Sequence, residues 1–373
     1  MLTMNSTLLV GPSDWDSARL PIEEFAARTA ALWRDHPSAG GAIVYGDRVS
    51  HAELAYLTHF TPKLEAALAL IPRTGAATLL VGGGANMLQA AKPLTFVADL
   101  RPLRDVGKTV VQWAREQGGG GPVLIGGAAM PYALHREIAD ALGGKIVDST
   151  AALRVLMRRK SARELALLRE ACATLEAAVT AMGAAQGAGA KATDVILAGE
   201  RAANRRGAQD VRTLFSRDGG RSLRLFETAG EHALDPLQVY IAVRQFGYWA
   251  EGFAVLTASP HSCVQRAGDV LRSAVERMQA GGSCSELARS IAQAVQPLTL
   301  HPVTARAAGN AIGLALEEHP LIAAGSEERF EDGGVYSLRI GLSDARGHAI
   351  VSAMIAVHQR GNEVLWSSPE ARR

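Results

Sequence analysis

A short run of polar side chains in the C-terminal third of the chain has the residue types that proton transfer and ligand binding require. Glu317, Glu318 and His319 follow one another directly before Pro320, and Asn310 stands earlier in the same run. Carboxylates and imidazole can exchange protons in enzymes. We therefore take Glu317 and His319 as candidate catalytic residues, and Asn310 and Glu318 as candidate substrate-binding residues. The structural alternative places Glu317 and Glu318 exposed near a helix end and His319 in a loop.

Charged residues elsewhere in the chain could complete such a site. Glu251 is a further candidate acid or base, and Arg339 and Arg244 are candidate anchors for a substrate carboxylate. A guanidinium group binds a carboxylate through two parallel hydrogen bonds, so Glu and Arg together would suit a zwitterionic small molecule. The alternative is that Glu251 and Arg339 simply pair with each other, because a buried charge without a partner is costly.

Composition narrows the class of protein. The chain has 373 residues, 48% hydrophobic and 20% charged, with a net charge of +2. This balance is typical of a globular protein and argues against nucleic acid as a partner. No apolar run approaches the roughly 20 residues of a membrane span, and Met1–Trp15 lacks the features of a secretory signal, so we predict a cytoplasmic protein without a membrane partner. Three cysteines without CxxC spacing indicate neither disulfides nor a zinc site.

The elements that must position the candidate residues fall into two parts. In the N-terminal part, apolar runs alternate with helical patterns, which indicates an α/β layer. In the C-terminal part, Ser161 and Glu164 have the spacing of a capping box and begin a long helix. We predict helices over residues 16–35, 110–115, 132–142, 161–183, 193–206, 262–279 and 285–295. We predict strands over 41–46, 66–72, 77–81, 123–126, 237–246, 253–258, 334–341 and 348–357.

Several segments resemble the creatinase, aminopeptidase P and prolidase family. The match is carried by Tyr-Leu-Thr-His-Phe at 56–60, by the Arg-Lys-Ser entry to the long helix, and by Gly-Asn-Ala-Ile-Gly-Leu from 309. The resembling stretches are 56–60, 154–170, 247–251, 309–320 and 333–341. The resemblance implies an α/β N-terminal domain over residues 1–152 and an α+β pita-bread C-terminal domain over 153–373. It also implies a homodimer.

The metal-using members of this family hold two divalent ions with two aspartates, a histidine and two glutamates. In this chain Glu251 stands at the position of the second aspartate, and Ala242 or Tyr240 stands at that of the first. The remaining positions are met by Asn310, Arg339 and Ser352. An arginine repels cations and stays charged, so we predict neither a metal nor another cofactor. Ser352 becomes a candidate substrate-binding residue, and so does Arg224, which lies where the resemblance leads us to expect a histidine.

Three functions follow from this resemblance. The first is a metal-independent, creatinase-like hydrolase or lyase that acts on a C–N bond of a small amino-acid-like or guanidino compound. In it, Arg339 binds the carboxylate, Glu251 the cationic or amide end, and Glu317 or His319 moves protons. The second is a non-catalytic binding or scaffold member. The third is a proline-specific metallo-aminopeptidase in name, by overall similarity.

Overall fold

A computed structural model describes residues 14–117, 120–144, 146–187, 189–225, 232, 235–257, 262–344 and 347–372. The chain divides into two compact units, Met1–Met157 and Arg158–Arg373. Residues 1–13, which hold most of the segment considered above as a secretory signal, lie outside the described ranges.

A mixed sheet with the strand order β4-β3-β2-β1-β5-β6 forms the N-terminal unit. Strands β1, β2 and β3 are antiparallel neighbours, while β4, β5 and β6 join the sheet in parallel. The strands are β1 (Gly41–Gly46), β2 (Ala67–Pro72), β3 (Thr78–Val81), β4 (Asp99–Pro102), β5 (Val123–Ile125) and β6 (Val147–Asp148). The helices are α1 (Ile22–Asp35), α2 (Ala52–Thr58), α3 (Ala85–Ala91), α4 (Val106–Gln117), α5 (Tyr132–Ala141) and α6 (Thr150–Arg158).

Apolar side chains of this sheet pack against the helices α4 and α5. Ile43, Leu68 and Leu80 belong to one buried cluster with Val110 and Ile138. The clustering explains why glycine-bounded apolar runs predicted these strands correctly. The predicted start of the first helix was wrong, because residues 16–20 form turns and α1 begins only after Pro21.

The C-terminal unit contains a sheet with the order β12-β11-β13-β14-β15, to which β10 adds beside β13, and a second sheet β7-β8-β9. Its strands are β7 (Asp210–Phe215), β8 (Leu237–Gln245), β9 (Tyr248–Leu256), β10 (Thr299–Leu300), β11 (Gly309–Ala311), β12 (Glu318–Ile322), β13 (Gly334–Asp344), β14 (Gly347–Val357) and β15 (Glu363–Ser367). Its helices are α7 (Ala162–Ala185), α8 (Ala192–Arg205), α9 (Ser262–Arg277), α10 (Cys284–Ala294) and α11 (Pro302–Ala305).

One face of the larger sheet is covered by helices. Leu338 and Ile340 on β13, with Val351 on β14, pack in one buried cluster with Leu271 of α9 and Leu287 of α10. Alternate residues of a strand point to opposite faces. Ser337, Arg339 and Ser352 therefore lie on the face turned away from these helices. Within the described ranges, none of the helices has both the length and the apolar character that a bilayer crossing requires.

The long helix α7 begins with the predicted capping box. The Ser161 side chain accepts a hydrogen bond from the Glu164 amide, and the Glu164 side chain accepts one from the Ser161 amide. A second oxygen of Glu164 accepts a hydrogen bond of 3.0 Å from the Tyr248 hydroxyl. The carboxylate that caps α7 is therefore also a buried contact to strand β9.

Ser161→Ala is expected to lower the free energy of unfolding by about 1 kcal/mol, because the Glu164 amide loses its side-chain partner. A urea titration followed by hydrogen exchange of peptides from α7 measures the change. Ser290→Ala is the matched control, since the Ser290 hydroxyl donates to the Leu287 carbonyl inside α10 and does not cap the helix. Equal effects of both variants would show that the cap contributes nothing specific.

Strand β9 is longer than the sequence predicted. A two-residue turn at Phe246 and Gly247 joins it to β8, and both residues have positive φ angles, 49° and 85°. Positive φ at both central positions is typical of the tight hairpin turn that matches strand twist. The turn pairs Gln245 with Tyr248 and, further along, Ala242 with Glu251. The predicted strand over 253–258 therefore began too late, and its residue 258 lies outside the described ranges.

The run from Gly309 to Pro320 contains one short strand and the start of a second, and no part of it is helical. Gly309–Ala311 forms β11, and Glu318 opens β12, which pairs with β11 in antiparallel fashion. The alternative interpretation, which placed Glu318 near a helix end, was therefore wrong, because this residue begins a strand. A Cβ atom at Gly309 would lie 2.2 Å from the Ser337 carbonyl oxygen, so the close approach of β11 to β13 requires glycine here.

Side chains join the two sheets of this unit. The Gln238 amide nitrogen donates to the carbonyls of Ala254 and Ile350, each at 3.0 Å, and its oxygen accepts from the Ile350 amide at 2.7 Å. The Ser352 hydroxyl accepts from the Phe253 amide at 2.8 Å. Strands β9 and β14 are thereby held side by side through side chains.

Candidate active site

A carboxylate and a guanidinium face each other where the polar faces of the two sheets meet. Glu251 Oε1 lies 3.8 Å from Arg339 Nη1, and the side chains are 4% and 17% exposed. This separation is an ion pair but exceeds hydrogen-bond length. Glu251 Oε1 and Arg339 Nε are buried and have no hydrogen-bond partner among the residues that the structure describes. The two charges are thus close enough to offset each other. One polar atom of each side chain nevertheless remains without a hydrogen bond from the described residues.

Tyr240 orients the carboxylate. Its hydroxyl donates to Glu251 Oε2 at 2.8 Å. Burial, followed by the adjacent Glu251 charge, raises the pKa of Tyr240 well above its usual range, so the phenol stays protonated and remains a donor. Glu251 therefore has one oxygen held by Tyr240 and the other directed to the Arg339 side.

Asn310 holds Arg339 through the other terminal nitrogen of the guanidinium, Nη2. Its amide nitrogen donates to the carbonyls of Ala311 and Leu316, at 2.8 and 2.9 Å. Both hydrogens of that nitrogen are thus used, and Asn310 Oδ1 accepts a hydrogen bond from Arg339 Nη2. The side chain of Asn310 is a positioning group for the guanidinium.

The residues present do not fit a dinuclear metal centre. Arg339 brings a permanent positive charge to one of the expected ligand positions. Asn310 Oδ1 is already bound to that arginine, and Ser352 Oγ accepts from a backbone amide. Ala242, which faces Glu251, has no donor atom. Across the part of the chain that the structure describes, no group of three or more His, Cys, Asp or Glu side chains could hold a metal ion.

The candidate proton carriers Glu317 and His319 lie on the surface. Glu317 is exposed, and the His319 side chain is 57% exposed with its Nδ1 atom 3.3 Å from Glu328 Oε2. The structure therefore does not bring them into the buried Glu251–Arg339 pair. The polar run thus combines the buried Asn310 of the site with the exposed Glu317 and His319.

Glu318 has a different role from the one the sequence suggested. Its Oε2 atom lies 2.8 Å from Lys160 Nζ, with the side chains 10% and 2% exposed. Its Oε1 atom accepts from the Ala315 amide at 3.1 Å. This buried ion pair holds the turn whose Leu316 carbonyl binds Asn310. Glu318 thus supports the site through the backbone.

Arg244 and Arg224, the remaining arginine candidates, contact other parts of the C-terminal unit. Arg244 is buried, its Nε atom donates to the Gly247 carbonyl at 3.3 Å, and burial lowers its pKa to about 10. It therefore braces the β8–β9 turn. Arg224 is exposed, and its backbone pairs with Phe215 at the end of β7.

Sequence reasoning placed Tyr240 at a possible ligand position without giving it a role, and it did not identify Ser337 or Lys160 as members or supports of the site. The Ser337 hydroxyl is buried, finds no hydrogen-bond partner within the described part of the chain, and lies on β13 opposite Asn310. Strand alternation could have indicated Tyr240 and Ser337, because each lies two residues from a candidate position on the same face. Lys160 could not be found in this way, because its partner Glu318 is distant in sequence.

Known structures resemble this chain over most of its length. The sequence matches no protein-family model and no curated protein. A prolidase from Pyrococcus horikoshii OT3 superposes with a TM-score of 0.74 at 16% identity, over 92% of this chain and 97% of that one. A dipeptidase from Mycobacterium ulcerans gives 0.75 at 19% identity, over 96% and 98%. An X-Pro aminopeptidase from Thermotoga maritima MSB8 gives 0.76 at 15% identity, over 92% and 97%.

These similarities define the fold of the protein. An α/β N-terminal unit is followed by an α+β C-terminal unit that has the pita-bread fold of prolidases and X-Pro aminopeptidases. The fold class predicted from the sequence is confirmed, and so is the resemblance on which it depended.

Proposed function

We propose that the protein is a metal-independent hydrolase that cleaves a C–N bond in a small amino-acid-like compound. The observation that carries this proposal is the incompletely satisfied pair of Glu251 and Arg339. A buried polar atom without a partner costs about 1–3 kcal/mol. A ligand that donates to Glu251 Oε1 and accepts from Arg339 Nε would satisfy both atoms at once.

The chemistry assigns a role to each side chain. Arg339 binds the substrate carboxylate, and Asn310 holds the guanidinium in place. Glu251, oriented by Tyr240, accepts a proton from water as the water oxygen bonds to carbon. The same carboxyl group then returns the proton to nitrogen as the C–N bond breaks. One water is consumed, and an amine and a hydroxylated or acyl product are released.

A non-catalytic binding protein is the second candidate. It is favoured because Glu317 and His319 are exposed. Two of the three candidate catalytic residues therefore lie away from the Glu251–Arg339 pair. In that case the ligand would bind between Glu251 and Arg339 and leave unchanged. The homodimer and the cytoplasmic location stay predictions from the sequence.

Thermal unfolding with added ligand tests the proposal. Guanidinoacetate, creatine and L-alanine at millimolar concentration are the probes, and a ligand at 100 times its Kd stabilises the folded state by about 2.7 kcal/mol. We expect at least one probe to raise the Tm of the wild type and to leave Arg339→Gln unchanged. Arg169→Gln is the control, because it removes the same charge from an exposed pair with Glu363.

Product analysis separates the two candidates. Chromatography of wild type with the stabilising probe should show amine or urea release that Glu251→Gln abolishes. Binding without product would favour the binding protein. Tightly bound stoichiometric zinc or manganese in the purified protein would contradict metal independence, as would activity that EDTA removes and manganese restores.

A further inference from the structure

Arg212 lies in the same cross-strand row as the candidate catalytic carboxylate. Strand register places Arg212 of β7 opposite Ala242 of β8, and Ala242 opposite Glu251 of β9. Neighbouring strands are about 4.8 Å apart, so the Cα atoms of Arg212 and Glu251 are separated by roughly 10 Å. Only the methyl group of Ala242 stands between them in this row.

Contacts establish that Arg212 points to the same face as Glu251. The Arg212 guanidinium stacks over the Trp249 ring at 4.6 Å from its centroid. Trp249 precedes Glu251 by two positions on β9 and therefore shares its face. The next residue, Thr213, turns to the opposite side, where its hydroxyl donates to Glu200 of α8.

Larger side chains border the Ala242 position on both sides. Along the strands, one neighbouring row holds Tyr240 and Phe253, whose rings lie 4.7 Å apart, and the other holds Arg244 and Trp249. Ala242 therefore carries the smallest side chain of this face, and it is itself buried between the two rows. Tyr240, which contacts Glu251, is partly exposed, and Arg212 is exposed, so a ligand whose cationic group reaches Glu251 would extend past Tyr240 toward Arg212.

The charges of this face favour an anion at its outer end. Arg212 is 57% exposed, and its contact to Asp210 is a single long one of 3.4 Å. Arg339 and the buried Arg244 add further positive charge, whereas Glu251 and Asp210 supply the carboxylates. The Arg212 guanidinium is held by Trp249 and keeps donors available for a bidentate contact.

We infer that the ligand of this site is an amino-acid-type compound with a second carboxylate, and that Arg212 binds this distal carboxylate. The inference rests on the proposed function for its inner half, where Arg339 binds the first carboxylate and Glu251 the nitrogen. Arg212 is then the residue that selects acidic over neutral side chains.

L-glutamate and L-glutamine test this assignment, because they differ only in the distal group. Isothermal titration calorimetry of the wild type should give glutamate about fivefold tighter binding than glutamine, as expected for a partly exposed charge pair. Arg212→Gln should reduce this ratio to about one and leave glutamine affinity unchanged. The ratio in the wild type should also fall as salt is raised. Arg159→Gln, at another exposed arginine, should keep the wild-type ratio.

The outcomes separate this inference from the function on which it rests. Equal binding of both compounds by the wild type, abolished by Arg339→Gln, would overturn the role of Arg212 and keep the proposed site. The same holds if Arg212→Gln retains the glutamate preference. If neither these compounds nor the probes named above bind, the proposed function and the acidic ligand both fall.

Discussion

Arg339→Met is expected to lower the free energy of unfolding of the C-terminal unit by about 3–5 kcal/mol. The substitution leaves the Glu251 carboxylate buried with Tyr240 as its remaining hydrogen-bond partner, and removing one member of a buried ion pair has this cost. It also frees Asn310 Oδ1, whose nitrogen stays bound to backbone carbonyls. The double variant Arg339→Met, Glu251→Met should recover most of the loss, because no uncompensated charge remains.

The measurement must report on the C-terminal unit alone, since the chain has two compact units. Hydrogen exchange of peptides from β9 and β13, followed through a urea series, does this. Arg169→Gln is again the control and should change the stability by less than about 0.5 kcal/mol. If Arg339→Met unfolds at the wild-type urea concentration, the Glu251–Arg339 pair is not a buried charge pair in solution.

Lys160→Met is expected to destabilise the same unit by about 3 kcal/mol. Its ammonium is the cation that offsets the Glu318 carboxylate at a nearly dry position. The effect should extend to the site, because Glu318 also holds the Ala315 amide in the turn that presents the Leu316 carbonyl to Asn310. We therefore expect weaker binding by the Glu251–Arg339 pair in addition to the loss of stability.

The adjacent residue gives a close control. Arg159 carries the same charge, but its side chain is 69% exposed and lies 3.9 Å from Asp332, so Arg159→Gln should be nearly neutral. Glu318→Gln in the Lys160→Met background should restore part of the stability, since the buried carboxylate is then an uncharged amide. Equal urea midpoints for Lys160→Met and Arg159→Gln would disprove the proposed support of the turn.

Much of the fold was predictable, because periodicity and end signals agree in many elements. The glycine-bounded run at 41–46 became β1, and the capping box at Ser161 and Glu164 begins α7 as predicted. Short strands such as β7 and β11 were missed, because three to six residues with mixed polarity give no clear period. The hairpin turn at Phe246 and Gly247 was missed for a different reason, since Phe rarely adopts positive φ.

Candidate positions could be named from the sequence where one side chain replaces another at a matched position, as for Glu251, Asn310, Arg339 and Ser352, and they stay predictions as site residues. Those predictions gave the residues but not their contacts. That Asn310 uses its nitrogen on two carbonyls and its oxygen on Arg339 depends on a turn held by Lys160. That Glu317 and His319 are exposed depends on the register of β12. Both facts arise from tertiary pairing of distant segments, which local sequence does not encode.

The strands that carry the site have a further consequence for how the protein can change over evolutionary time. Arg339 and Ser352 face each other in the ladder between β13 and β14, and Ala242 faces Glu251 between β8 and β9. The backbone groups at these positions are paired with neighbouring strands whatever the side chains are. New ligand specificities can therefore arise by single substitutions at these positions, provided each new buried charge gains a partner, while the sheet hydrogen bonds stay in place.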